Sequence, residues 1–146
     1  MKLSTRAPQG FTLIEILITI VILAILAGLT IVAINPGQNI DDANDARRRA
    51  DVSTFLSAIS QYQVDNSGSY PAGITATDQE ISNVAADICS SLVPTYLAQL
   101  PVDPTTGSYT DCTAYTTGYT VSTTGGGSRV QVSATLSDAS THTVTR

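Results

Sequence analysis

From Phe11 to Ala33 the chain is apolar except for Glu15, the threonines Thr12, Thr19 and Thr30, and Gly28. As a helix this run spans roughly 35 Å, enough to cross a bilayer. A secretory signal has a shorter apolar core with a small-residue cleavage site after it. Here Ala24, Ala27 and Gly28 lie inside the core, so a secretory signal is the weaker reading. Asn35-Pro36-Gly37 then marks a break or bend, because proline lacks a backbone donor and clashes with the preceding turn.

The pattern changes at Ile40. Ile40, Ala43, Ala46, Ala50, Phe55, Ile59 and Tyr62, with Val52 and Leu56 alongside, recur at threes and fours and predict an amphipathic helix. Asp41, Asp42 and Asp45 precede Arg47, Arg48 and Arg49, which predicts acid-first pairs such as Asp45 to Arg49 on a solvated face. Asn66-Ser67-Gly68 stops the helix, with Gly68 suited to a left-handed cap. Beyond it, Ser82 to Leu92 reads as a short helix and Leu100 to Pro104 as a rigid turn. Tyr115 to Ser122 reads as a strand. Gly125-Gly126-Gly127 is a loop, and Arg129 to Leu136 alternates Val130, Val132 and Ala134 against polar neighbours as a half-buried strand. His142 to Thr145 adds a third strand. The expected architecture is α+β, a long N-terminal helix packed on a small antiparallel sheet. The divisions are 1–10 as a leader, 11–35 as a transmembrane and assembly helix, 36–66 as its amphipathic half, and 67–146 as a globular head.

Composition adds two constraints. The net charge is −5, and with Lys2 and Arg6 removed only five arginines would face twelve acids. Such a surface repels phosphate, so sequence-independent nucleic-acid binding is not expected. Cys89 and Cys112 are the two cysteines. Behind an export or membrane signal they predict an extracytoplasmic disulfide rather than two separate buried thiols. Its loop of about 24 residues would contribute roughly 3 kcal/mol in the chain-entropy picture.

Glu15 is the residue that asks for an explanation. A carboxylate in a membrane helix costs a few kcal/mol at the bilayer centre and less near an interface. The nearest cation on its N-terminal side is Arg6, beyond Pro8 and Gly10. A cut after Gly10 would create a cationic amine on Phe11, at the right depth to pair with Glu15 of the same chain or of a neighbouring helix.

Gly10-Phe11-Thr12-Leu13-Ile14-Glu15, behind a short basic leader and ahead of a long apolar run, resembles the cleavage and methylation motif of type IV prepilins and type II secretion pseudopilins. The resemblance implies that a prepilin peptidase cuts after Gly10 and methylates the Phe11 amine, and that Glu15 pairs with such an amine as subunits stack. Tyr62 to Asn66 with Gly68 and Tyr70-Pro71, and then Tyr96-Leu97 and Leu100 to Pro104, resemble the helix end and sheet entry of major pseudopilins. Three departures stand out. Pro36 lies later than the family's kinking proline, Gln9 replaces a basic residue, and the acidic calcium-binding loop is missing, only Asp111 and Asp138 lying near the strands. The last argues against calcium in the head, and no other cofactor is implied.

No catalytic constellation emerges. His142 is the only histidine, and it stands in a threonine-rich stretch without an activated nucleophile. Gly125-Gly126-Gly127-Ser128 is not a phosphate loop, and Asp103 to Asp111 fails EF-hand spacing because Gly107 stands where an oxygen ligand belongs. The expectation is therefore a structural filament subunit, not an enzyme. The resemblance implies copies of itself and minor pilins as partners, with the prepilin peptidase and an inner-membrane assembly platform. Lys2 and Arg6 place the leader in the cytoplasm and the head outside the bacterial cytoplasmic membrane before assembly. After assembly the subunit would stand in an extracellular or periplasmic filament. The competing reading is a single-pass membrane-anchored binding module that never assembles.

Overall fold

A computed structural model describes residues 10–146; the leader through residue 9, with Lys2 and Arg6, lies outside the described residues. The chain divides into two compact units at Asn39. The first contains helix α1, Leu13–Ile34. Helix α2, Pro36–Asp65, begins in the first unit and runs through the second. Between them Asn35 takes left-handed backbone angles (φ 44°, ψ 74°), so the hydrogen-bond ladder is interrupted at the residue before Pro36. That is where proline disfavours helical backbone.

The second unit is an α+β head. In chain order it adds strand β1 (Gln79–Ser82), the single turn α3 (Cys89–Leu92), β2 (Ser108–Asp111), β3 (Ala114–Thr124), β4 (Arg129–Thr135) and β5 (Thr141–Thr145). The sheet is antiparallel throughout, ordered β1-β3-β4-β5, with β2 paired to the start of β3. Val121 faces Val132, which faces Val144, so β-branched side chains line one register across three strands.

Helix α2 covers this sheet from Arg48 onward. Val52, Phe55, Leu56, Ala58 and Ile59 are buried against Ile81, Leu92, Leu100, Tyr119, Val121, Val130 and Val132. The Phe55 and Tyr119 rings meet edge to face at 5.8 Å, a favoured aromatic geometry. At the far end, Asp65 closes the helix. Ser67 and Gly68 both take positive φ, and the Gly68 N–H returns to the Gln63 carbonyl at 2.8 Å, a Schellman-type closure. The left-handed turn thus starts one residue before the glycine, at Ser67.

Three sequence expectations are corrected. Ile40, Ala43, Ala46 and Ala50 are exposed: the buried face of the helix begins only at Arg48 and runs through Val52, Phe55, Leu56, Ala58 and Ile59, which leaves Ala50 outside it. Ser82 to Leu92 is not one helix: Ser82 is held in β1 opposite Thr116, the Ala86 N–H returns to the Glu80 carbonyl, and only Cys89–Leu92 is helical. The arginine cluster is not a uniform solvated face either. Arg48 is 6% exposed, and its acid is Asp45 three residues earlier, not the predicted Asp45–Arg49 pair.

Cys89 and Cys112 form a disulfide with Cα atoms 5.3 Å apart, tying α3 to the turn between β2 and β3. Cys89 is fully buried, so the bridge is part of the core.

Candidate functional site

The N-terminal segment is built around the start of α1. Gly10 and Phe11 precede the helix and are exposed, Phe11 at 80%. Thr12 is the N-cap: its backbone is extended (φ −81°, ψ 149°), and its hydroxyl accepts from the Glu15 N–H at 3.3 Å. Its carbonyl takes the same N–H at 3.1 Å and that of Ile16 at 3.3 Å. Glu15 therefore sits in the first turn, where the helix presents unpaired N–H groups and the positive end of its dipole. The capping role of Thr12 is absent from the sequence reading above. Thr12-Leu13-Ile14-Glu15 nevertheless carries the capping-box pattern that signals it.

Leu13–Ile31 is long and apolar enough to span a membrane, with a mean hydropathy of 2.7 and no part of it buried inside the chain. Its threonines do not oppose this. The hydroxyls of Thr19 and Thr30 donate to the Ile16 and Ala27 carbonyls, both at 2.8 Å. Phe11, Thr12, Leu13, Ile16, Leu17 and Ile20 line a shallow apolar groove along one side of the helix start.

A second constellation lies in the head. The Arg48 guanidinium donates through Nε to Asp103 Oδ2 at 2.5 Å and through Nη2 to Thr105 Oγ1 at 2.8 Å. Its Nη1 donates to Asp45 Oδ1 at 2.8 Å and Ser137 Oγ at 3.1 Å. Asp103 is 4% exposed, and its Oδ1 also accepts from the Thr105 and Thr106 N–H groups at 2.8 and 2.9 Å. Burial pushes the Asp103 carboxyl up, but the Arg48, Thr105 and Thr106 hydrogen bonds outweigh it and hold it well below the usual carboxylate range. Asp45 is likewise held low: Ser137 and Arg48 outweigh desolvation there. The Arg48–Asp103 pairing is not visible in sequence, since the two residues stand 55 apart.

Calcium collects several oxygen ligands at one place. Among the described residues no three His, Cys, Asp or Glu side chains converge. Asp111 accepts from Thr113 and Asp138 from Ser140, each within its own turn. Asp45 and Asp103, the acids that do share a centre, share a guanidinium.

An apolar, membrane-length helix with one acid in its first turn, followed by a disulfide-closed α+β head, defines a class of single-span proteins with a compact head. Residues 5–31 match the family described as the prokaryotic N-terminal methylation motif. The chain is 33% identical to the type II secretion system core protein G of Klebsiella michiganensis, over 71% of this chain and 72% of that one. It is 32% identical to the core protein G of Pseudomonas aeruginosa (68% and 69% covered) and to that of Aeromonas hydrophila (68% of each). No solved structure matches this chain. The chain belongs to the pilin and pseudopilin family and is a structural subunit of a pilus-like filament.

Proposed function

We propose that this subunit is made as a prepilin and cut after Gly10 by a prepilin peptidase. The new Phe11 amine is N-methylated, and the subunit polymerises with copies of itself and minor pilins on an inner-membrane platform. Before assembly it is anchored in the bacterial cytoplasmic membrane by α1 with its head outside; afterwards α1 is buried in the filament. It has no catalytic role and needs no cofactor.

The observation that carries this reading is the start of α1. Thr12 fixes the first turn, Glu15 lies within it, and Gly10-Phe11 stands exposed just ahead. Processing places a positive amine next to the end of the helix that holds the only acid of the span. In a medium of low dielectric that amine and the Glu15 carboxylate attract strongly, which favours one stagger between neighbouring helices.

Mass spectrometry of the N-terminus tests the processing step, and a chain beginning at methylated Phe11 is the expected result. An intact Met1 in cells that make filaments would instead support the non-assembling anchor. Glu15→Ala is expected to insert into membranes normally and to give few or no filaments by electron microscopy. Normal filaments from that variant overturn the assembly role.

A further inference from the structure

Strand β5 leaves one side of the sheet open. The Val130 and Arg146 backbones exchange hydrogen bonds at 2.9 Å in both directions, which fixes the phase of the ladder between β4 and β5. Val132 with Val144 and Ala134 with His142 are then the next bonded pairs, because such pairs alternate along an antiparallel ladder. Thr141, Thr143 and Thr145 fall between them. Each turns its N–H and its carbonyl away from β4, and among the described residues no strand pairs with β5 on that side. All three threonines are exposed.

The strand at the other end of the sheet is treated differently. The register of β1 breaks between Glu80 and Ser82, and the chain beyond folds back so that the Ala86 N–H takes the Glu80 carbonyl at 3.0 Å. Breaks of register, charged side chains and prolines are the usual means of stopping a sheet from adding strands. From Thr141 to Thr145, β5 has none of them. Its register with β4 is unbroken, and it carries no acid, lysine, arginine or proline. The side chains around this edge define what fits it. Val144 continues the row of Val121 and Val132 and is only half-buried, so an apolar side chain beside it would extend that row. Arg146 stands just past one end of β5 and Asp138 just before the other, both exposed. A strand running antiparallel to β5 meets Arg146 with its early residues and Asp138 with its late ones.

We infer that the free edge of β5 is a docking surface for an extended segment of another polypeptide chain, which adds to the sheet as an antiparallel strand. That segment carries an acid opposite Arg146, an apolar residue opposite Val144 and a base towards Asp138. Its backbone bonds to Thr141, Thr143 and Thr145 supply the attraction, and its alternate side chains supply the selection. The inference does not depend on the processing and assembly proposed above, and its failure would leave both standing.

The probe is the fluorescently labelled peptide Glu-Thr-Val-Thr-Val-Thr-Lys, titrated against the full chain in detergent micelles. Its anisotropy is expected to rise and saturate below about 1 mM. In amide exchange followed by NMR, Thr141, Thr143 and Thr145 should exchange fast in the free chain and become protected with peptide, whereas His142 and Val144 are protected throughout. The same peptide N-methylated at its threonines loses the donors that face β5 and should bind at least about tenfold more weakly. Exchanging its Glu and Lys should weaken binding several-fold. Thr143→Pro removes an outward N–H that β4 does not use, so this variant should keep its fold and lose at least about tenfold in affinity. If it does not fold, the N-methylated peptide on the natural chain makes the same comparison. Absence of saturation, undiminished binding of the N-methylated or charge-exchanged peptide, or protection placed elsewhere overturns the inference. So does protection of the three threonines that appears without peptide and grows with protein concentration, which would assign the edge to a second copy of this chain.

Discussion

Tyr119 and Asp51 join strand β3 to helix α2 through one hydrogen bond, the phenol donating to the carboxylate at 2.8 Å. The Tyr119 ring is fully buried against Phe55, whereas Asp51 lies at the helix edge near Arg47, 3.8 Å away. Burial raises the Asp51 carboxyl above its ordinary value, and the Tyr119 bond only partly offsets this. Tyr119→Phe keeps the ring and removes the phenol that donates to that carboxylate. The expected loss is about 1–2 kcal/mol, read as a lower urea midpoint with an unchanged slope.

Acid should act chiefly through Asp103. Its carboxyl titrates below the ordinary range in the folded protein, so its stabilisation is complete above the unfolded value of about 3.9 and is lost as pH falls from there towards the folded value. Asp45 moves in the same direction, while Asp51, raised by burial, has the opposite sign and favours the fold in acid. Urea midpoints measured between about pH 7 and about pH 2.5 should therefore drop steeply below about pH 4. Asp103→Asn should be less stable at neutral pH by roughly 3 kcal/mol and show a flatter acid limb. A limb parallel to that of the natural sequence would assign the acid sensitivity elsewhere.

The Cys89–Cys112 bridge should be a stability element without an assembly role of its own. Replacing both cysteines with alanine is expected to cost the head roughly 3 kcal/mol, with Cys89 adding a small packing loss because it is fully buried. The same difference should separate urea curves of the natural protein with and without a reductant.

Gly118 is held at φ 76° beside Asp103, with Thr106 Oγ1 2.7 Å from where a Cβ would stand. Gly118→Ala adds both backbone strain and a collision, and should cost about 2 kcal/mol or more. Gly126→Ala serves as the comparison: its φ is also positive, at 70°, but nothing lies within 4 Å of the added atom. Its cost should stay near 1 kcal/mol, and equal losses in the two variants would remove the collision from the account.

What the sequence exposed was whatever repeats locally. The membrane-length run, the end of α2 at Asn66-Ser67-Gly68, and the alternation of Val130, Val132 and Ala134 in β4 each carry their signal within a few residues. The α+β class followed from those. Strands β1 and β2 did not, because Gln79–Ser82 and Ser108–Asp111 are short and polar and become strands only by pairing with β3. The same limit hid the Arg48–Asp103 pair. Nothing near Arg48 distinguishes it from Arg47 or Arg49; only the return of the chain at Asp103 selects the middle one. Ala43, Ala46 and Ala50 misled for a related reason, since alanine satisfies a helical pattern whether or not anything packs on it. The N-terminal segment was legible as a motif, but the cap that positions Glu15 went unread.

Thr19 and Thr30 settle their hydroxyls on carbonyls of their own helix. Together with the backbone ladder, this leaves the middle of the span, between its first and last turns, nothing to ask of its surroundings. Lipid tails and apolar side chains are close to equivalent solvents for such a surface. Neither threonine then needs a hydrogen-bond partner from whichever of the two surrounds it. The middle of the span thus carries no polar demand that tells the two apart, whereas its first turn holds Glu15. In the assembly proposed above, those two hydroxyls would add no unpaired group to the passage of α1 out of the bilayer.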